Sequence, residues 1–195
     1  MDILHTTYFG PIQWYQQLYR SECVYLDGNE RWQKQTIRNR CYIATTSGVQ
    51  ALSVPIVHHT SPVSQTKNIL ISDHGKWRTE HWNALMSAYG ESPFFDYYAD
   101  DIRPFFTEKW ELLFDFNLAI IHKMCELLDI QPDIQLTTEY SPTLNSQLSI
   151  LNSQLSTLNS QQKYYQVYQQ KHGFLPNLSI LDLLFNMGNE AILYL

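Results

Sequence analysis

Between Gly28 and Pro55 the chain reads GNERWQKQTIRNRCYIATTSGVQALSVP, and its first half sets Arg31, Lys34, Arg38 and Arg40 among the amides Gln33, Gln35 and Asn39. Four of the 13 lysines and arginines fall within these ten positions, in a chain whose net charge is -6. That local reversal of sign fits a pocket for a small anion. The planar guanidinium forks of Arg38 and Arg40 suit bidentate contact with a phosphate or carboxylate. His81, on the flank of an apolar helical stripe four residues after Trp77, reads either as a hydrogen-bonded structural residue or as a base. His58 and His59 are neighbours that do not share a face, with no carboxylate nearby in sequence, so a solvated loop is expected there and no metal site. Cys23, Cys41 and Cys125 lack C-x-x-C spacing and read as buried thiols of a reducing compartment.

Composition narrows the partners. A pI near 5.6 argues against nucleic acid, because tracking phosphates takes a broad basic face. No apolar stretch approaches the ~18 residues of a membrane span, and the opening MDILHTTYFGPIQWY lacks a basic region followed by an apolar run, so a cytoplasmic protein is expected. Phosphate-loop, dinucleotide, S-x-x-K and zinc signatures are missing from the sequence, which leaves the cofactor unassigned.

The elements that must hold these residues begin with a strand from Asp2 to Phe9, stopped by Gly10-Pro11. A helix follows, carrying Ile12, Tyr15, Leu18 and Tyr19, and then a strand from Cys23 to Leu26. A β-α-β opening places ligands beyond the carboxyl ends of the strands, here near Tyr8 to Pro11 and near Asp27 to Glu30. Cys41 to Thr45 and Val49 to Ile56 form a hairpin around Thr46-Ser47-Gly48, and Ile69 to Ser72 reads as a further strand. Thr79 is suited to cap a helix running to Tyr89, and Ser92-Pro93 opens a short one through Tyr97 and Tyr98. Glu108 to Asp129 reads as the longest helix, with Asn117 inside its apolar stripe. Near-identical LNSQLS units follow Thr143 without a single charge as far as Gln161, and these read as an inserted loop. Tyr164 to Lys171 reads as helical, and Ser179 caps a last apolar helix while Asp182 reaches back to its amino end. The expected fold is α/β: a mixed sheet of about five strands in the N-terminal half, helices packed around it, and a helical C-terminal half. Residues 1–195 are expected to form one domain, with 141–162 as the inserted loop.

The ordered motifs YFGPIQWY, RWQKQTIRNRCYI, SVPI, WRTEHWNALMSAYGESPFFDYY, LFDFN and GFLPNLSILDLLFNMG resemble the WbqC-like family over nearly the whole chain outside Tyr140 to Gln162. The resemblance implies a bacterial surface-polysaccharide function, with glycine or a similar acyl group transferred to a nucleotide-linked sugar or related anionic intermediate. Its matching polar positions are Tyr8, Gln33, Arg38, Asn39, Arg40, His81, Tyr89 and Tyr97. Relatives carry a short charged stretch where this chain has its repeat. Two readings follow. In one, an enzyme holds an anion on Arg38 and Arg40 while His81 acts as general base. In the other, a non-catalytic anion or nucleotide-sugar binding protein, or a degenerate accessory subunit, uses the same pocket without turnover.

Overall fold

The parallel sheet joins the start of the chain to its middle. In the computed structural model, which describes residues 2–57, 64–138 and 162–195, β1 (Asp2–Leu4) pairs in parallel with β2 (Val24–Leu26). Between them α1 (Ile12–Arg20) makes the crossover, buries Ile12, Trp14, Tyr15 and Leu18, and starts directly after Pro11. Proline lacks the N–H that a first turn leaves unpaired and has its φ already set. A hairpin follows, β3 (Arg40–Thr45) and β4 (Gly48–Ser53), with Thr45 opposite Gly48 and φ of +110° at that glycine, a value side-chain-bearing residues rarely adopt.

Helix α2 (Trp77–Tyr89) begins two residues before the expected cap at Thr79, which places His81 in its second turn. Helices α3 (Phe95–Ile102) and α4 (Pro104–Thr107) lead to α5 (Leu113–Leu127). The expected single helix from Glu108 is thus interrupted. Glu108 and Leu112 are extended, and the backbone there bonds across to the Ile69–Ile71 segment: Ile71 N–H donates to the Glu111 carbonyl at 2.9 Å and Leu113 N–H to the Ile69 carbonyl at 2.9 Å. Those bonds also account for Ile69 to Ser72, which makes isolated bridges to Ile56 and Leu112 instead of joining a sheet.

The fifth strand is β5 (Ile134–Leu136), parallel to β2 on the side away from β1. The strands therefore form two sheets, a parallel one in the order β1-β2-β5 and the separate hairpin, where one mixed sheet was expected. After the repeat, helix is confined to the short α6 (Gln169–His172), followed by α7 (Ile180–Met187) and a 3₁₀ segment, Gly188–Tyr194. Helix α7 is buried on nearly every side. The Ser179 hydroxyl caps it by accepting from Leu181 N–H and donates to the Phe9 carbonyl at 2.7 Å. Ser179 N–H bonds the Tyr42 carbonyl and Ile12 N–H the Leu178 carbonyl, so the C-terminal block is stitched to both the opening unit and the hairpin. Among the described residues no helix is long and apolar enough to cross a membrane. The repeat, His58 and His59 lie outside the described residues.

Candidate functional site

Side chains alternate across a strand, so the residues following Leu4, Leu26 and Leu136 form a row on one face at the carboxyl edge of the sheet. These are His5, Asp27 and Thr137. The ladder continues one step into them, with Asp27 N–H donating to the Leu4 carbonyl at 2.9 Å and Thr137 N–H to the Leu26 carbonyl at 3.1 Å. Asp27 is fully buried. Its Oδ1 accepts from Asn29 N–H and from the Thr137 hydroxyl, both at 2.8 Å, while its Oδ2 has no partner. His5 is 1% exposed, and its Nδ1 is likewise buried without a partner. Asn29 completes the rim, donating to the Thr137 carbonyl and accepting from Lys67 Nζ at 2.6 Å. Gly28 sits so close to the Phe114 ring that a Cβ there would meet it at 2.8 Å, so any side chain would have to push the ring aside.

Behind this row Arg38 lays its fork on Glu30, Nε to Oε1 at 2.6 Å and Nη2 to Oε2 at 2.5 Å, and Nη1 donates to Thr36 Oγ1. Both side chains are almost wholly enclosed, at 2% and 3%. Burial raises the Glu30 pKa, although the guanidinium pulls the other way. Burial, and then the Arg38 charge, hold the His5 imidazole well below its ordinary value, so it is neutral. From α5, Asn117 Nδ2 donates to the Arg38 carbonyl at 2.7 Å and reaches Thr6 Oγ1 at 3.4 Å, while its Oδ1 is buried and unpartnered. The Thr7 hydroxyl and Tyr8 N–H both donate to the Ile37 carbonyl at 3.0 Å. The segment leaving β1 is therefore bonded along Ile37 and Arg38.

At its far end Tyr8 Oη lies 2.8 Å from His81 Nδ1, a hydrogen bond that either imidazole tautomer closes. Tyr8 stacks on Phe116, and the His81 ring sits edge-on to Trp77 with centroids 5.2 Å apart. Burial lowers the His81 pKa to about 4 and raises the Tyr8 phenol, so the pair is uncharged near neutrality.

Of the residues singled out from sequence, Tyr8, His81 and Arg38 are thus brought into one line. The others lie elsewhere. Gln33 is exposed, Asn39 Nδ2 donates to the Val54 carbonyl, and Arg40 Nε donates to Ser53 Oγ across the hairpin. Tyr89 is fully buried against Asp182 Oδ1 at 2.8 Å and accepts from Ala44 N–H. Asp182 also accepts from Tyr164 at 2.5 Å and from Gln166, so it is a buried hub where a capping role was expected. Tyr97, 72% exposed, lines a separate cleft of about 650 Å³ with Asp101 and Glu126. The open arginine fork expected at Arg38 is filled by Glu30, and Arg40 is engaged within the hairpin. His5 is absent from the sequence expectation, which marks the edge near Asp27 to Glu30 without assigning Asp27 or Glu30 a role. The signal for His5 and Asp27 is position, one step beyond the true ends of β1 and β2, and Glu30 follows three residues after Asp27.

The model of the WbqC-like protein family matches residues 6–162 and 150–194. The chain belongs to that family. The two matched stretches overlap within the LNSQLS repeat. Among curated relatives, this WbqC-like protein is 29% identical over 199 residues to the uncharacterized protein Rv1507c of Mycobacterium tuberculosis, covering 85% of this chain and 84% of that one. No solved structure matches.

Proposed function

We propose that this WbqC-like protein is a cytoplasmic transferase of bacterial surface-polysaccharide synthesis, moving glycine or a similar acyl group onto an activated, anionic sugar. One observation carries the reading: His5 Nδ1 and Asp27 Oδ2 are buried without partners at the carboxyl ends of neighbouring parallel strands. Each such atom costs about 1–3 kcal/mol when left unpaired, and a ligand's donors and acceptors offset that cost. Open α/β sheets bind ligands at this edge.

In acyl transfer an amine or hydroxyl of the acceptor attacks the acyl carbonyl carbon. The new C–N or C–O bond forms, the bond to the leaving group breaks, and the nucleophile's proton must be taken up. Asp27 Oδ2 accepts from that N–H or O–H and takes up its proton, while the neutral His5 ring hydrogen-bonds the acceptor group and orients it. Arg38 with Glu30, and His81 through Tyr8, act as positioning groups that fix the segment from His5 to Tyr8. Arg31 and Lys34 are exposed on the same 28–40 segment and suit an anionic sugar.

Binding without turnover draws support from the filled Arg38 fork and from the enclosure of His81, His5 and Asp27 alike. Incubation with nucleotide sugars and an activated glycyl donor, read by mass spectrometry, separates the two. Turnover that falls about a hundredfold or more in His5→Ala and Asp27→Asn, with circular dichroism unchanged, is the expected result. Nucleotide-sugar binding with no glycylated product from any donor leaves the non-catalytic reading standing.

A further inference from the structure

A second concavity, of about 670 Å³, lies between the β3–β4 hairpin and α2, inside the roughly 300–1,000 Å³ typical of small-molecule sites. Its polar lining is Thr45, Thr46, Ser47 and Gln50 from the hairpin side and Asn83 and Ser87 from the helix, with alanine and valine methyls between them and no ionisable side chain. The Thr45 hydroxyl donates to the Gly48 carbonyl at 2.8 Å, whereas among the described residues the other five side chains, all exposed, make no hydrogen bond within the protein. Their donors and acceptors are therefore available to whatever occupies the cleft.

Both walls are bonded by one segment. The Tyr168 hydroxyl donates to the Ala88 carbonyl at 2.8 Å on the helix side, and Lys171 Nζ donates to the Thr46 carbonyl at 2.7 Å on the hairpin side. His172 Nε2 meets the same Thr46 oxygen at 3.1 Å. A site whose walls are held before binding loses less freedom on binding.

We infer that this cleft binds an uncharged saccharide. Hydroxyls and carboxamides, each able to donate and accept, match the mixed donors and acceptors of sugar hydroxyls, while the methyl groups suit the C–H faces of the ring. The lining itself offers a phosphate or carboxylate no cation, the neighbouring Lys171 ammonium being bonded to the Thr46 carbonyl, and it offers an amine no carboxylate, while a purely apolar ligand would strand the amides. The inference goes beyond the transfer reaction and does not depend on turnover.

The test is NMR titration of the full chain with a panel of uncharged hexose and N-acetylhexosamine oligosaccharides, alongside acidic oligosaccharides of the same length. Uncharged members should bind with shift changes at residues 45–51 and 83–88. Asn83→Ala and Gln50→Ala should each weaken that binding about fivefold, the loss of one ordinary hydrogen bond. Ser87→Trp should abolish it by filling the space, with an unchanged spectrum for the rest of the chain. The inference is overturned by absence of binding at millimolar sugar, by shifts confined to other residues, by variants that bind like the parent, or by acidic sugars that bind this cleft more tightly than uncharged ones.

Discussion

Arg38 is a guanidinium with its fork already occupied, and that decides what its substitution does. Arg38→Met leaves the Glu30 carboxylate buried and alone, and should cost about 3–5 kcal/mol of stability in urea denaturation. Adding Glu30→Leu should recover most of the loss, since a pair exchanged for apolar groups leaves no stranded charge. A loss unchanged in the double variant would mean that the ion pair is not the source. Titration offers a second check at this scale. His81, held at about pKa 4 against 6.5, binds its proton more readily when unfolded, so its contribution to stability grows as pH rises from about 4 and is complete above 6.5. Asp182, raised to about 6 from 3.8, does the opposite: its contribution is complete below about 4 and is lost as pH rises through 6. Each effect is about 3 kcal/mol and the two oppose each other. Relative to the parent, His81→Gln should therefore lose stability progressively from pH 4 to 6.5, and Asp182→Asn should gain it, when unfolding is followed across that range. His5 and Glu30, present in both variants, cancel from the comparison.

At the scale of elements, α7 depends on one hydroxyl more than on its own propensity. Ser179 Oγ accepts from Leu181 N–H and donates to the Phe9 carbonyl, linking the first turn of the helix to the loop beyond β1. Ser179→Ala removes both bonds and should cost about 2 kcal/mol, at the upper end for a lost cap because a buried carbonyl is stranded as well. Ser179→Thr keeps the oxygen and should lie between the two in thermal unfolding. Equal stability of Ser179→Ala and the parent would show that the cap is dispensable in this packing. The interruption between α4 and α5 is likewise an exchange of bonds: helical partners at Glu108 to Leu112 are given up for cross-chain ones to Ile69 and Ile71. Local periodicity has no means of weighing that exchange.

For the whole molecule, β5 enters the parallel sheet before the repeat, and Tyr164 returns to Asp182 after it. The described core is drawn from residues on either side of Thr143 to Ser156. Deleting that stretch shortens a connection whose closure entropy varies only with the logarithm of its length. The midpoint of thermal unfolding should stay within a few degrees of the parent. A fall worth several kcal/mol, or a change of mass in solution, would mean that the repeat leucines pack in the native protein.

What the sequence determined by itself is what short-range chemistry specifies. Proline starts α1, Ser179 caps α7, Gly48 closes the hairpin with a positive φ, and the apolar stripe of Leu113, Phe114, Ile121 and Met124 buries α5. The carboxyl edge near Asp27 to Glu30 was legible too, because a β-α-β opening dictates where it lies. His5 was not. The run through Tyr8 and Phe9 reads as one strand, yet β1 pairs only as far as Leu4, after which the backbone turns its bonds to Ile37 and reaches φ of 41° at Phe9. Tertiary structure alone decided that Arg38 would face Glu30, that Tyr8 would meet His81, and that Tyr89 would share Asp182 with Tyr164. Glu30 lies eight residues from Arg38 and Tyr164 18 from Asp182, but Tyr8 and His81 stand 73 residues apart and Tyr89 and Asp182 93. In every case the choice among possible partners is made by burial, which makes an unpaired polar group costly only once the chain has enclosed it.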